Sequence, residues 1–212
     1  MKKILIATDK PFAPVAVSQM KELAEGKGYA IELFEKYAEQ ADLVAAVADC
    51  DAMIIRTFAQ SDVDELGANS TIPIINGLTD TDHPTQLLAD WVTIRENFGT
   101  DMAGRKIVYL GDGNNMSHAW LIMGAIMGVH VVAATPNGDW APDKAVVAKA
   151  RAIARTSGAT IEITNDPESA ARGASVLYTD VWMSMGDPEA ERAKKTKALE
   201  PFAITEKLMS LT

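Results

Sequence analysis

His83 and Gln86 stand three residues apart on either side of Pro84 and Thr85, where the pattern predicts the first turn of a helix, so their side chains share a face. An imidazole and an amide placed there can both donate to one carbonyl oxygen, which polarises an acyl carbon for attack. A His before Pro at a helix start also serves as a cap or a packed residue, and the pair alone does not separate these roles. A second cluster, Gly111-Asp112-Gly113-Asn114-Asn115-Met116, leaves a predicted strand and opens a helix. Its two asparagines bring amide groups and free backbone N–H donors that suit a carboxylate. On spacing alone a plain N-cap is the better reading. Asp180 follows the predicted strand Ser175–Tyr178 at its carboxyl end, where open α/β sheets hold their ligands. A carboxylate there can hold an ammonium group or cap the next turn.

The glycine cluster invites a dinucleotide reading, and two features oppose it. Met116 stands where the third glycine belongs, and the next strand ends Ala134-Thr135-Pro136 without an acid for a ribose hydroxyl. No cofactor is therefore expected. His118 and His130 lack carboxylate or cysteine partners at ligand spacing and read as structural, so no metal site is expected either. A single cysteine, Cys50, excludes an intrachain disulfide; it reads as a small packed side chain and fits a reducing cytoplasm.

The elements that must position these residues follow from composition and periodicity. In 212 residues, 48% are hydrophobic and 23% charged, as in an ordinary globular chain. The net charge of -9 argues against a nucleic-acid partner, and Arg192, Lys194, Lys195 and Lys197 read as a solvated helix face. The apolar run after Met1-Lys2-Lys3 is far too short for a leader or a membrane span.

Predicted strands over Lys3–Ala7, Ala30–Phe34, Ala52–Arg56 and Ile72–Ile75 alternate with helices over Val15–Glu25, Asp42–Ala48 and Ser61–Leu66. Val15, Met20 and Leu23 are expected inward on the first helix. Asp82 and Gly99 bound a long helix with Leu87, Trp91, Ile94 and Phe98 on one stripe. Past it come strands at Lys106–Leu110, Val129–Ala134, Thr160–Ile163 and Ser175–Tyr178, with Val146, Ala150, Ile153 and Ala154 inward on an intervening helix. The expected fold is α/β: a flavodoxin-like domain over 1–83 and a Rossmann-like domain over 84–212, three-layered with parallel sheets and linked by the long helix.

Taken in order, Arg56-Thr57-Phe58, Ile74-Ile75-Asn76-Gly77-Leu78-Thr79-Asp80, His83-Pro84-Thr85-Gln86, Asp112-Gly113-Asn114-Asn115 and Asp180-Val181-Trp182-Met183-Ser184-Met185-Gly186 resemble the ornithine carbamoyltransferases from about Asp51 onward. The resemblance implies that Arg56, His83 and Gln86 contact carbamoyl phosphate. It implies that Asn115, Asp180, Ser184 and Met185 hold the ornithine backbone, with Asn114 in the same substrate-binding set. The implied reaction is attack of the ornithine side-chain amine on the carbamoyl carbon, giving citrulline and phosphate, at sites to which a neighbouring subunit contributes.

Three family features have no counterpart: a Ser-x-Arg-Thr-Arg phosphate loop, a His-Cys-Leu-Pro strand and a returning C-terminal helix. Lys10, in the loop after the first strand, is only a candidate substitute for the phosphate loop. The lost strand would leave an open sheet edge that favours a homo-oligomer. The opening residues, Lys3-Ile4-Leu5-Ile6-Ala7-Thr8-Asp9-Lys10-Pro11-Phe12-Ala13, resemble instead a 2-hydroxyacid dehydrogenase of the phosphoglycerate dehydrogenase type. The expectation is therefore a chimeric or engineered hybrid, joined near 51–57, that keeps weak ornithine affinity and turns over poorly or not at all. An active ornithine carbamoyltransferase and a ligand-free scaffold are the alternatives.

Overall fold

The computed structural model describes residues 1–8, 10–36, 40–183 and 188–212. The chain divides into two compact units, Met1–Gln86 and Leu87–Thr212. In the first, strands β1 (Lys2–Thr8), β2 (Tyr29–Glu35), β3 (Ala52–Phe58) and β4 (Ile74–Thr79) form a parallel sheet in the order β2-β1-β3-β4. Helices α1 (Pro14–Glu25), α2 (Gln40–Val47) and α3 (Gln60–Asn69) make the crossovers. The inner strands are buried on both faces and therefore read as continuous apolar runs; Leu5, Ala7, Met53 and Ile55 centre the core with Leu43 and Val63.

Two sequence expectations fail here for physical reasons. Val15 and Leu23 of α1 are 65% and 72% exposed. An apolar period marks a face but not whether another layer covers it. The fourth strand begins at Ile74 rather than Ile72, because Ser70 Oγ and the Ile72 backbone close a turn, with Pro73 next, a residue that has no N–H for a ladder. The strand then runs on through Gly77. A Cβ at Gly77 would lie 2.8 Å from the Ile55 carbonyl oxygen, and the β3–β4 register shifts beside that point.

The second unit repeats the principle. Its strands β5 (Lys106–Leu110), β6 (His130–Ala134), β7 (Thr160–Thr164) and β8 (Val176–Tyr178) are parallel in the order β7-β6-β5-β8. The long helix α4 (Pro84–Phe98) starts in the first unit and continues into the second. Leu87, Trp91 and Ile94 of its stripe are buried, whereas Phe98 is exposed beneath the Arg105 guanidinium. Helices α5 (Asn115–Met127) and α6 (Lys144–Ser157) pack with Ile107, Tyr109 and Val131 in one core layer. On α6, Val147 rather than Val146 is buried with Ala150 and Ala154. The opposite sheet face, with Val108, Leu110, Val132 and Ala134, is covered by α7 (Pro167–Ala171), Phe202 and Leu208 of α9 (Glu206–Met209). A further helix, α8 (Arg192–Leu199), precedes Phe202. Both units are thus parallel four-stranded α/β layers, as the pattern predicted. Among the described residues no helix is long and apolar enough to cross a membrane.

Close packing of α5 on β6 depends on Gly124, where a Cβ would fall 2.0 Å from Val131 Cγ2. Valine is stiff at χ1, so it cannot swing aside. The gain in helix propensity from alanine, about 1 kcal/mol, is outweighed by this overlap. Gly124→Ala is expected to lose about 1–3 kcal/mol net, read as a lower denaturant midpoint; an unchanged or higher midpoint contradicts the packing.

Candidate functional site

In the first unit the carboxyl ends of β3 and β4 present Arg56 and a hydrogen-bonded turn. Arg56 lies 4.6 Å over the Phe12 ring and donates from Nη1 to the Lys10 carbonyl at 3.4 Å, so its side chain reaches the loop that follows β1. Thr79 closes the turn before α4. Its N–H donates to the Asp82 carbonyl at 2.9 Å, its hydroxyl accepts from the Asp82 N–H at 3.1 Å, and the hydroxyl donates to Gln60 Oε1 at 2.9 Å. Asp82 Oδ1 accepts the His83 N–H at 2.8 Å, and Thr85 Oγ1 donates to the Gly77 carbonyl at 2.7 Å. The helix start is thereby fixed from both sides, with the His83 side chain half-buried and Gln86 exposed.

In the second unit β5 and β8 are neighbours, which brings the glycine–asparagine cluster and Asp180 to one end of the sheet. Thr179 Oγ1 donates to the Leu110 carbonyl at 2.8 Å and ties the two strand ends together. Asn114 is the N-cap of α5: its Oδ1 accepts from the N–H groups of Met116 at 3.0 Å and Ser117 at 3.3 Å. The same oxygen accepts the Tyr109 hydroxyl at 3.2 Å, while the buried Asn114 Nδ2 has no hydrogen-bond partner among the described residues. Asn115 is the first residue of the helix and is half-buried. Ser184 and Met185 lie outside the described residues.

Two tyrosines, which sequence reasoning left out, sit behind this cluster. Burial pushes the Tyr109 phenol well above its usual range, with the charges of Asp180 and Asp112 adding to the shift. Tyr178 is also raised, first by burial and then by its hydrogen bond to Asp90 Oδ2 at 2.9 Å. The charges of Asp180 and Asp112 both reach the phenol that holds Asn114. No polar spacing marks Tyr109 in advance, because it occupies an apolar strand position. Asp112 meets Lys195 of α8 at 2.6 Å, with both side chains more than nine-tenths buried. The reading of Lys195 as part of a solvated face is thus corrected; Arg192 and Lys194 are exposed. A charge run does not reveal which of its members faces a partner. His118 Nε2 accepts the Asp143 N–H at 2.9 Å, and among the described residues no His, Cys, Asp and Glu cluster could hold a metal ion.

With this geometry, the chain matches the aspartate/ornithine carbamoyltransferase carbamoyl-P binding domain over residues 14–96 and the Asp/Orn binding domain of the same family over residues 103–212. It belongs to that family. It is 42% identical over 98% of its length to the ornithine carbamoyltransferase of Anoxybacillus flavithermus, of which it spans 68%. It is 49% identical over 75% of its length to that of Oceanobacillus iheyensis, of which it spans 48%. The chain thus spans between about half and about two thirds of these relatives. The ornithine carbamoyltransferase of Pyrococcus furiosus superposes with a TM-score of 0.87 at 37% identity, over 99% of this chain and 68% of that one.

These matches overturn the expectation of a chimeric or engineered hybrid of poor turnover. The carbamoyl-P binding match over residues 14–96 spans residues 51–57, and similarity to one carbamoyltransferase extends along 98% of the chain. Nothing supports a dehydrogenase-derived opening.

The tyrosines give a pH test. A phenol whose folded pKa lies above its ordinary value of 10.0 keeps its proton when the unfolded chain has lost it. Its contribution to stability is complete below that value and falls as pH rises beyond it. Unfolding free energy should decline above pH about 10, and more shallowly in Tyr109→Phe. Equal slopes in wild type and variant contradict the assignment.

Proposed function

We propose that this chain is an ornithine carbamoyltransferase that transfers the carbamoyl group of carbamoyl phosphate to the side-chain amine of ornithine, releasing citrulline and phosphate. The observation that carries this reading is the succession of both family domains along the chain, each with its motif at strand carboxyl ends. We put the domain border at 83/84, three residues ahead of the division between the two compact units, and assign carbamoyl phosphate to Arg56, His83 and Gln86. The half-buried His83, just before α4, and the amide of Gln86, in its first turn, suit donation to the carbamoyl oxygen, and Arg56 suits the phosphate. Lys10 supplies a second cation from the loop after β1, to which Arg56 is already bonded through the Lys10 carbonyl.

Ornithine is assigned to Asn114, Asn115, Asp180, Ser184 and Met185. The carboxylate of Asp180 suits the α-ammonium, and the asparagines at the N-terminus of α5 suit the α-carboxylate. No cofactor takes part. A homo-oligomer and a cytoplasmic setting complete the proposal, the latter in keeping with one buried free cysteine.

The test is citrulline formation from the two substrates. Arg56→Ala should lower kcat by about 10²–10³-fold, as when one preorganised donor is lost. Asp180→Ala should raise the KM for ornithine with little change for carbamoyl phosphate. No citrulline from a folded wild-type chain contradicts the proposal, and so does activity indifferent to Arg56→Ala.

A further inference from the structure

The Lys195–Asp112 pair has no part in the reaction just described, yet it joins α8 to the turn that starts α5. Its separation is 2.6 Å, and the two side chains are 6% and 9% exposed. A pair so buried contributes little net stability, because desolvation offsets the Coulomb attraction, while removal of one partner leaves a buried lone charge. The use of such a pair lies in the geometry it enforces.

That geometry is tightly constrained. One residue beyond Asp112, the Gly113 N–H donates to the Trp140 carbonyl at 2.8 Å. A Cβ on Gly113 would lie 2.3 Å from Ala141 and Pro142 backbone atoms, so the turn has no room to shift toward that loop. Next in sequence, Asn114 caps α5 through Oδ1. Lys194 also reaches this loop, at 3.1 Å from Asp139 and 5.1 Å from the Trp140 ring. Its pair with Asp139 is solvent-exposed and contributes little. The buried lysine is the anchor.

We infer that Lys195 is a positioning residue for amino-acid binding: through Asp112 it holds the 111–115 turn so that the start of α5 meets the ornithine carboxylate. The inference rests on the function proposed above. It explains why one lysine in an otherwise solvated run is withdrawn from water, and why the aspartate it meets directly precedes the Gly-Asn-Asn turn.

The experiment compares Lys195→Met, Lys195→Arg and the double variant Asp112→Asn/Lys195→Met. It reads the KM for each substrate in citrulline formation and hydrogen exchange at the Met116 and Ser117 amides. Misplacement of a binding group by about 1 Å can lower the rate by about 10²-fold. Lys195→Met should therefore raise the ornithine KM by about 10–100-fold, leave the carbamoyl phosphate KM nearly unchanged and speed exchange at both amides. Lys195→Arg should restore most of the affinity, since it keeps the charge. If Lys195→Met does not fold, the double variant, which has no lone buried charge, carries the same expectations.

An unchanged ornithine KM in a folded variant overturns the inference, as does an equal rise for both substrates or a failure of arginine to rescue. If wild type makes no citrulline, the proposed function falls. Amide exchange then decides alone: faster exchange in the variant upholds the positioning of the turn, and unchanged exchange removes it.

Discussion

Parallel pairing of the strands is the constraint on which the rest of this molecule depends. Two parallel neighbours cannot be joined by a tight turn, so each connection crosses the sheet, and every strand ends at the same edge. In the first unit that edge receives Arg56 from β3 and the Thr79–His83 turn from β4. In the second it receives the Gly111–Asn115 turn and Asp180, which are distant in sequence but follow the adjacent strands β5 and β8. The candidate residues are grouped by topology before any side-chain chemistry acts.

What topology brings near, local contacts then orient. Glycines take part where backbones approach too closely for a side chain, as at Gly77 against Ile55 and Gly113 against Ala141. Hydrogen bonds settle the remaining freedom. One Asn114 oxygen satisfies two orphan N–H groups of α5 and the hydroxyl of Tyr109, so helix start and sheet are held by a single atom. The buried ion pair between Asp112 and Lys195 fixes the same turn from the side of α8.

The sheets and their crossovers were legible in sequence because buried parallel strands such as Lys106–Leu110 read as apolar runs bounded by turn residues. The His83–Gln86 and Asp112–Asn115 clusters stood out only when taken in order along the chain, because a polar residue at a helix start also serves as a cap, as Asn114 does. Other features lay beyond periodicity. The exposure of Leu23, the burial of Lys195 and the position of Tyr109 behind the Asn114 cap depend on what stands opposite, which no local window contains. The unity of the chain was misread from its opening. An apolar strand followed by Lys10-Pro11-Phe12 carries too little chemistry to fix a family, and similarity to one carbamoyltransferase along 98% of the chain decides it.

The central claim is that a carbamoyl group passes intact to an amine. It is tested most directly by following carbamoyl phosphate labelled with carbon-13 at its carbonyl, in the presence of ornithine and stoichiometric protein, by carbon NMR. The account predicts that the label moves into the ureido carbon of citrulline at a rate set by the protein. Label recovered only as cyanate, carbamate and bicarbonate, at the rate seen without protein, would contradict it.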